Sequence, residues 1–560
     1  MTGTFGARRG TRGAVGLGVP AILLLAGLAP AARAQLAPHI INQNELGQSV
    51  RLPNLAKEQV PKQKPPTPSV SGISPFVLRG VRVEGATTLP PAAVAATWRG
   101  MIGHRVGSAQ LSAILIAIGR LCQHQGLALY SVSLPQQNFA GGQVVVRVIE
   151  GHVGAVTIEG NTKGASLGLL KHYAARIVAD QPLHRATLER NLLLMQSIPG
   201  LKVGSELRPM PGQPGVVRLL LGIHRRTVEA GFDVNNAGDR QLDIVQGTAN
   251  VTVNGLFRQG ERDQLVFGAP ARIRRYQYYG IVHQEPIGTN GTTVTVTMGE
   301  LITHPVGAIN SGTAQIASVR LSDPLIYTQT RQLDASVEAD YLNSNEALLG
   351  QTAVSERTRT LREGLIFARA GDWNGIDSGS FTVSEGINAL GARRGSLAYG
   401  GPGFTKFDVS LVRLQALPKS FFLTVRANAQ YALNHLPGSE QFLFGGSEFG
   451  RAYPAAVMAG DSGIEMSAEL SHKLPLLQHV APKLISGLAA FGYADWGRIW
   501  NRQTIYQYPV DTGASAGGGV RMLLLRHFEL TLGAGNELVK PREAAKLERW
   551  RFLFAVSGRF

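Results

Sequence analysis

Few residues in this chain have the types and spacing that catalysis requires. There is 1 Cys, Cys122, and the 13 His are scattered rather than clustered. We identify no HExxH metal motif, no nucleophile elbow and no Gly-rich phosphate loop. Cys122 follows Ile118 at helical spacing on an apolar stripe, which predicts a buried, inert thiol. The sequence therefore predicts no catalytic residue, no metal site, no cofactor and no enzyme activity.

Two short motifs that combine glycine, aromatic and charged residues are the most specific features of the sequence. The first motif comprises Phe449, Gly450, Arg451, Ala452 and Tyr453. The second motif comprises Phe491, Tyr493, Asp495 and Gly497. Because side chains alternate along a strand, the last three of these residues share one face if the segment is a strand. A guanidinium and a carboxylate that meet can form a charge-assisted, bidentate pair.

The composition favours a turn-rich, all-β architecture in a protein that leaves the cytoplasm. Gly accounts for 67 of 560 residues and only 17% of residues are charged. The formal net charge is +17, but Lys and Arg are scattered, so we predict no nucleic-acid partner. Residues 1–34 begin with a positively charged segment, continue as an apolar run and end in a cleavage site of small residues. This pattern predicts a signal peptide. Residues 35–75 are rich in Pro and Lys and predict a linker, with a short N-terminal helix as an open alternative.

Two copies of one small module follow, in residues 76–150 and 151–226. A short apolar strand ends in Glu-Gly at Gly85 and again at Gly160, about 75 residues later, and such a period marks a duplicated domain. Helical stripes separate this strand from two later strands, which predicts a small sheet with two helices on one face. The free edge of such a sheet can accept an extended peptide, although a passive spacer fits equally well.

Residues 227–560 alternate between apolar and polar positions over long runs, for example in 228–235, 333–341 and 423–431. A soluble sandwich also alternates, but long strands with Asp, Glu and Arg on the polar face favour a membrane barrel with a wet lumen. At roughly 20 residues per strand and connection, the segment holds about 16 antiparallel strands. The last strand alternates through Phe552 and Phe554 to the terminal Phe560, which resembles the closing strand of bacterial outer-membrane barrels.

With both motifs, the two modules and the terminal Phe, the chain resembles the TpsB outer-membrane transporters of two-partner secretion. These form the haemolysin secretion/activation and filamentous-haemagglutinin transporter family, and the resemblance spans roughly residues 75–560. It implies two periplasmic POTRA domains and a 16-strand barrel in the outer membrane of a Gram-negative cell. It also implies that a secreted TpsA-type exoprotein, such as a haemolysin or adhesin, is captured unfolded by its amino-terminal segment. Outer-membrane lipid, and the barrel assembly machinery during biogenesis, are the other implied partners.

The resemblance further implies roles for the two motifs. In this family a long extracellular loop folds back into the lumen and carries an Arg-Gly-aromatic tip, which corresponds to Arg451, Ala452 and Tyr453. Ala452 replaces the usual Gly, and Gly450 replaces the usual β-branched residue. A wall strand of the second motif's pattern meets the loop Arg, so we expect Arg451 to pair with Asp495 and double charge reversal to restore secretion. The alternative is a solvated Arg451 and an ordinary pore-lining Asp495.

Two other functions share parts of this pattern. An assembly factor of the BamA or TamA type usually carries more POTRA copies than the two in this chain. A passive porin needs no docking module for diffusion. We therefore predict a protein-export pore.

Overall fold

The computed structural model describes residues 72–160, 167–238, 240–258, 260–306, 310–348, 351–474, 484–502, 508–542 and 549–560. The predicted signal peptide (1–34) and most of the predicted linker (35–75) lie outside the described residues. Within the described part of the chain, two α/β modules precede a closed β-barrel. No helix in these ranges is long and apolar enough to cross a membrane.

The first module is a small sheet packed against a long amphipathic helix. Strand β5 is central, parallel to β2 and antiparallel to β4. Cys122 lies on the buried stripe of α2, as predicted, and burial together with the charge of Glu150 raises its pKa to about 11. The elements are β1 (Phe76–Val77), β2 (Gly80–Glu84), α1 (Pro91–Ala96), β3 (Arg105–Val106), α2 (Ser108–His124), β4 (Tyr130–Ser133) and β5 (Gln143–Glu150).

The second module repeats this topology, so the predicted strand, helix, helix, strand, strand order is confirmed. Strand β8 is central, parallel to β6 and antiparallel to β7. The repeated Glu-Gly pair has a structural cause: Gly85 and Gly160 have positive φ, and a Cβ there would overlap a carbonyl oxygen of the neighbouring strand. The elements are β6 (His152–Gly160), α3 (Gly168–Ala179), α4 (Arg185–Gln196), β7 (Leu201–Pro209) and β8 (Val216–Arg225).

Sixteen antiparallel strands of the described chain close into a barrel, and two short strands, β20 and β21, pair inside a long connection. The predicted strand number is confirmed. The strands are β9 (Val228–Asn235), β10 (Gln246–Asn254), β11 (Arg262–Pro270), β12 (Tyr276–Pro286), β13 (Thr293–Thr303), β14 (Asn310–Tyr327), β15 (Arg331–Leu348), β16 (Gln351–Ala370), β17 (Gly375–Gly386), β18 (Thr405–Leu417), β19 (Phe421–Ala432), β20 (Phe442–Phe444), β21 (Met458–Gly460), β22 (Ser462–Lys473), β23 (Ile485–Trp500), β24 (Val510–Leu524), β25 (Phe528–Val539) and β26 (Trp550–Arg559).

The alternating apolar and polar residues of each strand form the outer and inner faces of the barrel wall. In β15, Val337 and Tyr341 are exposed on the outer face, whereas Glu338 and Ser344 are buried on the lumen face. The apolar face of each strand therefore meets lipid, while the polar face lines the interior.

The barrel closes where β26 pairs with β9. The main chain of Phe560 exchanges two hydrogen bonds with Ala230, and its ring packs edge-on against Phe528. Asn236 bonds the backbone of both Phe552 and Phe554. The predicted terminal aromatic residues thus lie along the closing seam.

The second module rests on the turns at one end of the barrel. The Arg176 guanidinium donates to the carbonyl of Thr289 at 2.8 Å and to the side chain of Asn290 at 2.9 Å. Arg190 donates to the carbonyls of Asn290 and Pro324. These contacts orient the module beneath strands β12 to β15.

Candidate functional site

The connection between β19 and β22 folds into the lumen instead of extending outward. Its hairpin strands β20 and β21 are buried, and Phe444 and Tyr453 are fully enclosed. Phe449 packs in the same apolar cluster with Ile499 of the wall. This segment, residues 433–461, is called the lumen loop below.

Arg451 at the tip of the lumen loop lies against Asp495 on the wall. Its Nε donates to Asp495 Oδ2 at 3.1 Å and its Nη2 to Oδ1 at 2.9 Å, so the pair is bidentate. The backbone N–H of Arg451 donates to the same carboxylate at 3.0 Å. The structure thus brings together the two residues that the sequence analysis selected, and the role of this pair in secretion stays a prediction.

Arg451 has three further partners on the wall. Its Nη1 donates to Glu469 at 2.6 Å and its Nη2 to the hydroxyl of Ser467 at 3.0 Å. The guanidinium lies 3.6 Å from the ring centre of Tyr493, a cation–π distance. Glu469 also accepts from Arg521 at 3.0 Å. The Arg451 guanidinium therefore contacts two buried carboxylates and one aromatic ring at the same time.

The two departures at the loop tip fit the local packing. Gly450 has φ +63°, and a Cβ there would meet the Phe444 ring at 2.7 Å, so a β-branched residue has no space. Ala452 is buried against Gly535, whose missing side chain leaves room for the Ala452 methyl group. Tyr453 directs its hydroxyl at the carbonyls of Ala514 and Val539, at 2.5 and 2.6 Å.

The remaining residues of the wall motif do not touch Arg451. Gly497 faces the Phe444 ring, which occupies the space that a side chain would need. The Phe491 ring stacks against the Tyr493 ring with 6.4 Å between their centres, and the Arg521 guanidinium lies 4.6 Å from the centre of the Phe491 ring. Tyr493 and Asp495 thus contact the loop cation, whereas Gly497 and Phe491 shape its surroundings.

A second set of ionic contacts holds the opposite end of the lumen loop. Glu440 accepts from Arg362 at 2.8 Å and from Lys406 at 3.1 Å. Arg362 also contacts Asp340, and Glu356 accepts the backbone N–H groups of Gly438 and Ser439 at 3.1 and 3.2 Å. The loop is therefore anchored to two different parts of the wall, near β16 to β18 through Glu440 and near β22 and β23 through Arg451.

No motif in the sequence points to Glu469, Ser467 or the Glu440 anchor. Glu469 and Ser467 lie on the same face of β22, because side chains alternate along a strand. The pairing of β22 with β23 places both residues beside Tyr493 and Asp495, so they become predictable only once that pairing is known. Glu440 and Arg362 are 78 residues apart, and no local pattern in the sequence links them.

A further short motif lies in the barrel wall. Gly513, Ser515 and Gly517 have the G-x-S-x-G spacing, but they lie inside β24, without the strand-to-helix turn of a nucleophile elbow. Ser515 is buried, 3.4 Å from Asp495. In the described ranges, no group of three His, Cys, Asp or Glu side chains is placed to hold a metal.

For the export pore that the sequence predicts, replacing Arg451 with alanine is expected to reduce export of the partner strongly. The change leaves Asp495 and Glu469 buried without their shared cation, and breaking such a pair costs about 3–5 kcal/mol. The ratio of secreted to retained exoprotein measures the effect, and heat-modifiable gel mobility checks barrel folding. Arg320→Ala is the matched control, because Arg320 pairs with Glu338 within the wall. Equal export by both variants would contradict the prediction.

The structure changes the expected result of double charge reversal. Arg451→Asp with Asp495→Arg would place a new carboxylate against Glu469, which still accepts from Arg521. We therefore expect this double variant to remain defective, even though the contact between positions 451 and 495 is direct.

Comparisons with known proteins give the chain's relatives. Residues 222–522 match the family "Haemolysin secretion/activation protein ShlB/FhaC/HecB", and residues 76–151 match "POTRA domain, ShlB-type". The heme/hemopexin transporter protein HuxB of Haemophilus influenzae is 22% identical over 391 residues, covering 67% of this chain and 68% of HuxB. The outer membrane transporter CdiB of Dickeya dadantii is 22% identical over 488 residues, covering 79% of each. The structure of CdiB from Escherichia coli has TM-score 0.75 at 18% identity, covering 96% of this chain and all of that one, and shows the same fold.

Proposed function

The chain belongs to the haemolysin secretion/activation family ShlB/FhaC/HecB, and from this membership we propose how it moves its cargo. It is an outer-membrane transporter of two-partner secretion that exports a partner exoprotein, with its POTRA modules in the periplasm. In the proposed route, the unfolded amino-terminal segment of the exoprotein adds to a POTRA sheet edge. It then enters the lumen after the anchors of the lumen loop release.

Open sheet edges support the capture step. In the described part of the chain, β4 and β7 each pair with a central strand on one side only. Their outer sides therefore present backbone donors and acceptors that an extended segment of almost any sequence can use. Strand β7 is nine residues long and offers the longer edge of the two.

The buried lumen loop is the observation on which the transport step depends. It lies inside the barrel, with Arg451 and Glu440 holding it to two parts of the wall. A polypeptide passing the same lumen competes with the loop for space, so both anchors have to open. The sequence offers no Walker-type phosphate loop for nucleotide use, and we propose that folding of the exoprotein outside the cell makes transport directional.

Two finer points complete the proposal. The chain acts by binding and conduction alone, without catalysis. During biogenesis the barrel assembly machinery recognises the closing strand β26, which ends at Phe560.

Site-specific cross-linking tests the capture step in the full chain. Cys122 is fully buried, so a cysteine introduced at Glu206 on β7 or Ser133 on β4 is the only accessible thiol for a photo-cross-linker. We expect the exoprotein's amino-terminal segment to cross-link at one of these edges. The control is Arg120→Cys, exposed on helix α2. Cross-linking of equal yield from position 120, or from neither of the two positions, would refute capture at the edges of β4 and β7.

A further inference from the structure

The outer wall of the barrel carries a groove beneath an arginine pair, and we propose that together they bind a phosphorylated, multiply acylated glycolipid of the outer leaflet. The groove has a volume of about 830 Å³ and opens on the lipid-facing side of β10 to β15. Two neighbouring rows of paired residues, which run around the wall from strand to strand, build this site.

The lower row is apolar. It is formed by outward-facing residues that pair across six successive strands, β10 to β15, and it ends beside Arg359 of β16. Ala317 leaves a depression between its larger neighbours, and such an apolar concavity fits acyl chains. The row consists of Val251, Leu265, Ile281, Met298, Ala317 and Tyr341.

The upper row starts with two aromatic residues, then becomes polar and ends in charge. It begins with Phe267 and Tyr279 and continues through Glu300, Gln315 and Asn343 to Arg357. Arg357 lies opposite Arg393 of the β17–β18 loop in an isolated antiparallel bridge. The apolar groove is thus bordered on its outer side by groups suited to a lipid headgroup.

The backbone holds the two arginines next to each other. The N–H of Arg357 donates to the carbonyl of Arg393 at 2.9 Å, and the reverse bond has the same length. Residues opposed in this way have Cβ atoms about 4.5–5.5 Å apart, and like charges there destabilise each other. Both side chains are exposed. The Nε of Arg393 donates to the carbonyl of Ser355 at 3.2 Å, and within the described ranges neither arginine forms an ion pair with a carboxylate. An external anion would neutralise the pair.

Arg359 and Tyr341 join the pair to the groove. The Arg359 guanidinium lies 3.6 Å from the ring centre of Tyr341, and it donates to the carbonyl of Leu342 and the side chain of Asn343. Arg359 itself is buried, so these contacts fix the Tyr341 ring at the end of the apolar row, two residues along β16 from the exposed Arg357.

The height of the pair on the wall identifies the occupant as an outer-leaflet lipid. The second POTRA module contacts the opposite end of the barrel, so the start of β16 is at the extracellular end. On β16, Arg357 is four residues above Leu361 on the outer face, a rise of roughly 10 Å for a tilted strand. At that height above the apolar residues of the outer face, the two guanidiniums can bind headgroup phosphates bidentately. Glu300 is three strands away, about 14 Å at the usual strand spacing, and does not oppose a phosphate at Arg357.

Native mass spectrometry of the purified full chain in detergent tests this site, with bisphosphorylated, hexa-acylated lipid A as the probe. We expect the double variant Arg357→Gln, Arg393→Gln to lower the bound fraction at least tenfold. Removing both phosphates from the probe should lower binding to the unaltered chain by a similar factor. Ala317→Phe, which fills the groove without changing charge, should also weaken binding.

Arg498→Gln is the matched control, because Arg498 is exposed on the outer wall at the same end of the barrel, on β23. It should bind the probe like the unaltered chain. Unchanged binding by the double variant, equal loss in Arg498→Gln, or unchanged binding by Ala317→Phe would each overturn the site. Displacement of the probe by an equal concentration of inorganic phosphate would also overturn it as a lipid site. Because the dephosphorylated probe needs no variant, the test holds even if one variant fails to fold.

Discussion

Cross-linking the tip of the lumen loop to the wall is expected to stop export, and reduction of the cross-link is expected to restore it. The Cβ of Ala452 lies 3.2 Å from the position that a Cβ would take at Gly535 on β25. Disulfide geometry requires about 3.5–4.5 Å, so a small shift of the loop allows the bond. With the bond closed, the tip cannot leave the lumen.

The design needs one supporting substitution. A side chain at Gly535 would overlap the hydroxyl of Tyr493, which has no hydrogen-bond partner among the described residues. Tyr493→Phe removes that hydroxyl at little cost, because no bond is lost. The test variant is therefore Ala452→Cys, Gly535→Cys and Tyr493→Phe. Cys122 is fully buried and does not compete for the bond.

The measurement is secretion of the exoprotein before and after adding dithiothreitol to cells. Under oxidising conditions we expect secretion at the background level of cells without the transporter, and recovery on reduction. Tyr493→Phe alone and each single-cysteine variant in that background are the controls, and they should secrete throughout. Normal export by fully cross-linked protein would show that the cargo passes without movement of the loop tip.

Deleting residues 76–226 is expected to abolish export while leaving a barrel that conducts ions. The barrel ladder closes from β9 through β26 without any strand of the modules. The second module contacts the barrel through side chains such as Arg176 and Arg190, which bond turns and strand ends at the periplasmic rim. Removing the modules therefore removes the sheet edges proposed to capture the exoprotein, and it leaves the closed ring of barrel strands intact.

Two measurements separate these effects. Conductance in a planar bilayer reports on the barrel, and the secreted fraction of exoprotein reports on capture. A shorter deletion of residues 76–150 is the informative control, since it keeps the second module and its contacts with the barrel. Normal export after the full deletion would show that capture by the modules is dispensable.

The proposed lipid site can be tested independently of transport through the same barrel. Arg357 and Arg393 face outward, away from the lumen loop. Variants there should change lipid binding, whereas Arg451→Ala should change export and leave lipid binding unaltered. The two results distinguish failure of the lipid site from failure of the transport proposal.

The strand pattern and the modules were accessible from the sequence alone. Side-chain parity is a local property, so alternation identified the two faces of strands such as β15 and β19 before any pairing was known. Likewise, the Glu-Gly repeat at Gly85 and Gly160 predicted duplication because the same backbone conformation is required twice. The contact between Arg451 and Asp495 was expected only through the family resemblance.

The tertiary structure alone revealed how the lumen loop is held. Glu440 meets Arg362 and Lys406, and Arg451 is shared between Asp495 and Glu469, only because the closed barrel brings distant strands around one interior. Likewise, Arg357 and Arg393 become neighbours through a bridge between a strand and a loop. Such contacts depend on barrel closure and strand register, which are set by the pairing of all strands together and are not visible in any single segment.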